Sequence, residues 1–157
     1  MWWNDTLYAE LRFGVDKTKP TLVVANLESD KTYDVENLTV IMSANDNLML
    51  AEISVLLDGK ELGPWSGASL EKVLDQNGEL TFDIPGTSNK SHDVKIICKD
   101  AAGNETELEI TDFYVTTNGW VLFFNNKPLF YGSILGVLAM IGLIVFVIVK
   151  KRKKAEA

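Results

Sequence analysis

The 157-residue sequence predicts an all-β, antiparallel two-sheet sandwich followed by one transmembrane α-helix. Three observations predict it. Six short runs rich in Val, Ile, Thr and Leu lie between residues 21 and 115, broken by Asn, Asp, Gly and Ser. Little helical periodicity precedes residue 129. After it, 21 uncharged residues, Leu129–Val149, run into a basic tail. Hydrophobic residues make up 46% and charged residues 24%, a globular mix that excludes disorder for the bulk of the chain.

The runs are Thr21–Ala25, Asn37–Ser43, Ala51–Leu57, Glu79–Ile84, Asp93–Lys99 and Glu105–Val115. Leu38, Val40 and Met42 alternate with Thr39, Ile41 and Ser43. Val94, Ile96 and Cys98 alternate with Lys95, Ile97 and Lys99. That is the period of a strand with one face in a core. Asp58-Gly59 is a two-residue hairpin signature between SVLL and KEL. Asn77-Gly78 precedes ELTFDI, and Ala102-Gly103-Asn104 separates the last two runs. Six or seven such strands in about 100 residues predict a Greek-key sandwich. Gly63–Gln76 is the least strand-like part. Leu70, Val73 and Leu74 stand at helical spacing there, so a short helix or turn is expected in a loop packed on the sandwich edge.

At about 1.5 Å per residue, Leu129–Val149 spans roughly 31 Å, the thickness of a bilayer's hydrocarbon core. Lys150, Lys151, Arg152, Lys153 and Lys154 follow directly and mark the cytoplasmic side. Trp120, Phe123, Phe124, Phe130 and Tyr131 cluster at the other end, as an outer interfacial belt. The expected topology is a single pass through the cell membrane, body outside and tail inside. A tail-anchored arrangement with the body in the cytoplasm is the competing reading. It would place KKRKK outside, against the positive-inside bias. An exported body needs a signal peptide, and residues 1–13 carry no basic start and no useful apolar run. The sequence is therefore read as the C-terminal piece of a longer precursor, or as one whose start is misplaced. Asn125-Asn-Lys-Pro-Leu129 does not resemble the LPxTG wall-sorting motif, so retention in the membrane is expected.

VDKTKPTL at Val15–Leu22 resembles the VDxTxPT start of bacterial Ig-like repeats. VKIICKDAAGNETELEITDFYV at Val94–Val115 resembles their closing F–G hairpin, with a D-x-A-G-N turn at Asp100–Asn104. The resemblance covers roughly residues 15–116. It implies an Ig-like sandwich of the kind strung in tandem on bacterial surface proteins, as stalks and adhesins. It implies that Pro20 sets a rigid turn and begins the first strand, and that Gly103 supplies a positive-φ turn position. Cys98 lies on the expected F strand without a partner on B, and no Trp lies on the expected C strand, so the antibody-type disulfide is absent. Glu10–Val15 echoes Ile110–Val115, with Phe13 and Phe113 one repeat length apart. Residues 1–14 are read as the last strand of a truncated preceding repeat or an N-terminal extension. Residues 15–117 form the sandwich, 118–128 a juxtamembrane linker, 129–149 the transmembrane helix and 150–157 the cytoplasmic tail.

Chemistry is sparse. Residues 1–149 hold 10 Lys/Arg against 21 Asp/Glu, which argues against nucleic-acid binding. One Cys excludes an internal disulfide and a Cys-based zinc site. Cys98 reads as a small core hydrophobe. The single His, His92, lies in SNKSHDV, read as a loop before a strand. Asp93 beside it could orient it, with Ser88 or Ser91 near, but adjacency in sequence is not triad geometry, and a solvated loop His is the simpler reading. Glu105, Glu107 and Glu109 alternate, as on the solvent face of a strand. Asp16, Asp46, Asp100, Asn104 and Asp112 fall near expected strand ends, where calcium is the ligand to consider, yet EF-hand spacing is missing and no tight site is expected. Sequons at Asn4, Asn37, Asn89 and Asn104 matter only with eukaryotic secretion. Gly132 and Gly136 permit close helix approach in the span.

The expected function is a non-enzymatic, cofactor-free, membrane-anchored surface module, acting as a stalk, spacer or adhesion-presenting domain. Its expected partners are the lipid bilayer and neighbouring Ig-like repeats, with a surface-protein or glycan ligand left open. The alternative is an accessory domain of a membrane-tethered extracellular enzyme, such as a carbohydrate-active one, whose catalytic part lies elsewhere.

Overall fold

The computed structural model describes residues 15–75 and 77–155. The expectation for residues 1–14 lies outside them. Eight strands form two sheets: β1 (Thr21–Val24), β2 (Thr32–Tyr33), β3 (Asn37–Asn45), β4 (Leu50–Leu57), β5 (Lys60–Ser66), β6 (Glu79–Pro85), β7 (His92–Asp100) and β8 (Glu105–Val115). One sheet has the order β1-β3-β6 and the other β2-β8-β7-β4-β5. Pairing is antiparallel except for the two-residue β2, which runs parallel to β8. In Ig lettering this is A-B-E packed on a G-F-C sheet that carries an extra C′ edge, so the topology itself is Ig-like.

The alternation seen in the sequence is the alternation of burial. Along β7, Val94, Ile96 and Cys98 are buried. Along β3, Val40 and Met42 are buried with Leu38 packed beside them, and their cross-strand neighbours Phe82, Leu80 and Ile84 of β6 extend the same inner face. Ile53 and Val55 of β4 and Phe113 of β8 have no exposed surface and complete the inner layer. Removing a buried ring such as Phe113 costs about 3–5 kcal/mol in a core of this kind. Asp58 (φ 51°) and Gly59 (φ 75°) both take left-handed backbone, the turn that Asp-Gly favours between twisted strands. Pro20 is buried directly before β1, and its carbonyl accepts the Thr106 hydroxyl at 2.6 Å. Gly103 takes φ 90° in the β7–β8 turn, as the resemblance implied.

Three expectations need correction. Residues 63–66, read as loop, belong to β5, an edge strand that tolerates Pro64 because one side of it has no ladder partner. Helix α1 (Ala68–Val73) follows, and buried Leu70 pins it. His92 is not in a loop: it opens β7 and is buried. Asp112 lies inside β8 rather than at its end, at φ 54° beside a register shift.

After β8 come α2 (Gly119–Asn125) and α3 (Lys127–Ala155). Asn118 caps α2 by accepting the Trp120 N–H at 3.0 Å. Asn126 breaks the path at ψ 81° and starts α3, its side chain accepting the Leu129 N–H at 3.2 Å. Pro128 falls in the first turn of α3, where a missing N–H costs nothing.

Candidate membrane interface

Residues Lys127–Arg152 form a helix long and apolar enough to cross a membrane, and none of its apolar window is buried against the sandwich. It is apolar on all sides and uncovered by protein, which is the composition of a membrane span. Lys150 rests its ammonium 6.0 Å from the Phe146 ring, the posture of a lysine whose stem lies along apolar surface while its charge leaves it. Lys151, Arg152, Lys153 and Lys154 follow on the same helix.

All five aromatic residues expected at the other interface meet in one cluster. Phe130 of α3 packs 5.9 Å from Phe123 and 5.4 Å from Phe124, both on α2. Trp120 stacks on Phe124 at 6.2 Å, and Tyr131 lies 5.6 Å from Phe130. The cluster closes the angle between α2 and α3, yet Trp120 keeps 73% of its surface exposed. The segment expected as a plain linker is thus a structured joint. Asn125 donates to the Thr32 hydroxyl at 3.0 Å and Asn118 donates to the Ser88 carbonyl at 2.7 Å, tying α2 to the sandwich. Neither bond is legible from local sequence, because their partners lie 30 and 93 residues away in the chain. Beside Asn118, a polar groove of about 350 Å³ runs between Glu36, Thr87 and Thr117. A Cβ on Gly132 or Gly136 would meet nothing within 4 Å, so that face of α3 is open.

At the opposite end of the sandwich, Asp16, Asp46 and Asp100 place carboxylate oxygens within 4.8 Å of one another. Asn104 stands beside Asp100; Asp112 is not in the group. Each carboxylate shapes a turn. Asp16 accepts from Thr18 N–H at 2.9 Å, and Asp46 accepts from Leu48 and Met49 N–H at 3.0 Å. Asp100 accepts from Ala102 and Asn104 N–H and from the Asn104 amide at 2.7 Å. Burial pushes the Asp100 carboxyl up, but these bonds outweigh it and hold it below the usual carboxylate range. With its nitrogen turned to the acids, the Asn47 amide reaches both Asp46 and Asp16 at 3.2 Å. Every oxygen of the three carboxylates then has an amide donor.

His92 does not face Asp93, because neighbours along a strand point to opposite faces. Its Nδ1 instead lies 3.0 Å from Asp58, and its Nε2 is buried with no partner. Among the described residues no serine hydroxyl bonds to it. Cys98 is fully buried, and burial pushes its thiol up to about 11, so it stays protonated and inert. Glu105 and Glu107 pair across the sheet with Lys99 and Lys95 at 3.3 and 2.8 Å, on the outer face.

No known family model matches the chain, and no curated protein sequence matches it. Among solved structures it is similar to the fibronectin(III)-like modules of Clostridium thermocellum CbhA, at 18% identity and TM-score 0.42 over 62% of this chain. It is also similar to Bacteroides ovatus SGBP-B of a mixed-linkage glucan utilization locus, solved with a mixed-linkage heptasaccharide, at 17% identity and TM-score 0.40 over 64% of this chain. The chain spans 47% of the first and 24% of the second.

Proposed function

We propose that this chain is a non-enzymatic, membrane-anchored surface module that acts as a stalk or presenting domain outside the cell. One observation carries the reading: the chain enters and leaves the sandwich at opposite ends. Asp16 is held at the start of β8, where its carbonyl accepts the Asn104 amide. The chain leaves at the far end of β8, after Val115, directly into α2 and α3. Eleven residues of strand separate the two ends, about 36 Å. A module threaded end to end adds its whole length to the distance between membrane and whatever it carries. One whose ends lie together adds little.

Two further features support the reading. The joint between sandwich and span is braced by the aromatic cluster and by Asn118 and Asn125, which favours a fixed direction over a loose tether. The basic end of α3 and the aromatic end before it favour body outside and tail inside. His92, the histidine the sequence offered for catalysis, is buried at Nε2 and out of a substrate's reach, which favours a non-enzymatic role over a His-based hydrolase.

The test is extraction. Membranes carrying the chain are washed with sodium carbonate at high pH. The full chain should stay in the pellet, and a chain ending at Asn118 should move to the soluble fraction. Release of the full chain by the wash would remove the membrane anchor from the account.

A further inference from the structure

Two grooves adjoin where the sandwich passes into α2. The first is polar, about 350 Å³, and its lining includes Glu36, Thr87, Thr116, Thr117 and Asn118. The second is apolar, about 480 Å³, and is lined by Gly119, Trp120 and Phe123. Asn118 and Gly119 are consecutive, and a Cβ on Gly119 would meet nothing within 4 Å, so the step from one groove to the next is open. Backbone bonds hold the polar walls in place. Gly86 N–H donates to the Glu36 carbonyl and Thr87 N–H to the Val115 carbonyl, both at 2.8 Å. A Cβ on Gly86 would stand 2.8 Å from that Glu36 carbonyl, so glycine is what lets the two loops close this wall. Two groups in the polar groove have capacity to spare. Thr116 is 2% exposed; its hydroxyl accepts Asn118 N–H at 3.2 Å, and among the described residues its own proton has no acceptor. Glu36 is the one charged residue of the lining, and among the described residues its carboxylate makes no ion pair.

We propose that these grooves hold one phospholipid of the surrounding bilayer, its acyl chain along Trp120 and Phe123 and its headgroup, a phosphoethanolamine, between Thr116 and Glu36. The site rests on the reading of α3 as a membrane span. Three arguments select this occupant. The first is position. Phe123 packs 5.9 Å from Phe130 in the first turn of α3, so lipid that surrounds α3 reaches the apolar groove without leaving the membrane. The second is form. A polar groove opening into an apolar one suits a molecule with a polar head and an apolar tail. The third is charge. A phosphate oxygen takes the Thr116 proton, and an ammonium meets the Glu36 carboxylate. A primary ammonium can donate hydrogen bonds to Glu36 and its neighbouring hydroxyls, whereas a quaternary one has no N–H to give. An anionic headgroup is disfavoured, because no lysine or arginine lines the groove. The bound lipid ties the sandwich end to the membrane beside the joint. It does not depend on which side of a membrane the module occupies.

Native mass spectrometry of the full chain in detergent micelles tests this, with phosphatidylethanolamine, phosphatidylcholine and phosphatidylglycerol of matched acyl chains added. The site predicts that the ethanolamine lipid is retained about fivefold more than either of the others. Glu36→Gln should lower it to the choline level; Glu36 is exposed, so the sandwich tolerates the change. Gly119→Leu should do the same by filling the open step, where a Cβ meets nothing. Glu71→Gln, an exposed carboxylate on α1 at the other end of the sandwich, should leave the preference intact. Equal retention of the three lipids, or a preference for the glycerol lipid, overturns the proposal. A preference that survives both Glu36→Gln and Gly119→Leu also overturns it, because the lipid then rests elsewhere on the chain. Retention of water-soluble phosphoethanolamine as strong as that of the lipid overturns it too, since the apolar groove would have no part. Each of these results leaves the anchor standing. Carbonate extraction reads the anchor separately, and release of the chain by that wash would remove the span on which the site rests.

Discussion

His92 Nδ1 lies 3.0 Å from the Asp58 carboxylate, across 34 residues of sequence. Asp58 sits at the tip of the β4–β5 hairpin in left-handed backbone, and His92 opens β7 from inside the core. The same carboxylate accepts Asp93 N–H at 3.0 Å and the Lys90 ammonium at 3.1 Å. One side chain thus locks a hairpin tip to the neighbouring strand and supplies the imidazole's one hydrogen-bond partner.

Asp58→Ala should therefore cost about 2–3 kcal/mol, since it leaves the buried imidazole with no partner at either nitrogen and puts alanine at positive φ. Asp58→Asn keeps an acceptor and tolerates the backbone, and should cost about 1 kcal/mol. Urea unfolding of the two variants measures the difference. Equal losses would mean that the imidazole draws nothing from Asp58.

Acid should destabilise the sandwich in a defined window. Burial pushes the Asp58 carboxyl up, but its bonds from Asp93, Lys90 and His92 outweigh that and hold it below its ordinary value. The Glu79 and Asn77 N–H groups hold Asp75 low, and the Lys95 ammonium holds Glu107 low. Asp100 is held low by its turn. A carboxylate whose folded pKa is depressed stabilises the fold above the unfolded value, near 4, and that stabilisation is lost as pH falls through the folded value. Stability should be flat from about pH 7 to 5 and then fall toward pH 3. In Asp58→Asn the fall should be shallower. A stability that rises on acidification would contradict these assignments.

Two turn glycines should respond unequally to alanine. Gly78 has φ 73°, and a Cβ there would stand 2.9 Å from the Ala44 carbonyl. Gly103 has φ 90°, but a Cβ there meets nothing within 4 Å. Gly103→Ala carries only backbone strain, about 1 kcal/mol, and Gly78→Ala adds a clash, for about 2–3 kcal/mol in total. Thermal melting of the two variants checks the order.

The parts of the fold that the sequence displayed are those where burial has a period. Val40 and Met42, or Val94, Ile96 and Cys98, repeat every second residue because one face of the strand is in the core. Asp58-Gly59 was legible because few dipeptides take two left-handed conformations in a row. β2 was not, since two residues beside β8 carry no pattern. β5 was hidden by Gly63 and Pro64. The glycine leaves room for the Trp65 ring, which would stand 2.9 Å from a Cβ, and the proline sits on an edge. The packing together of Trp120, Phe123, Phe124, Phe130 and Tyr131 could be expected from their density in the sequence before the long apolar helix, whereas the bonds of Asn118 and Asn125 depend on tertiary placement. The partner of His92 was missed, but one signal was present: in a strand Asp93 must point away from it.

Calcium should leave the sandwich nearly unchanged. Asp16, Asp46 and Asp100 converge, yet each of their oxygens already takes an amide donor. Adding 5 mM calcium chloride, roughly the range in which weak extracellular sites fill, should move the melting temperature by less than about 2 °C relative to EDTA. A larger rise would mean that the cluster opens to bind the ion.

The central claim, a sandwich held outside the cell by α3, is tested most directly by protease protection on intact cells with one tag at Met1 and another at Ala157. The account predicts that external protease removes the Met1 tag and leaves the Ala157 tag until the cells are lysed. A protected Met1 tag on intact cells would place the sandwich in the cytoplasm, and the stalk or presenting role would fall with it.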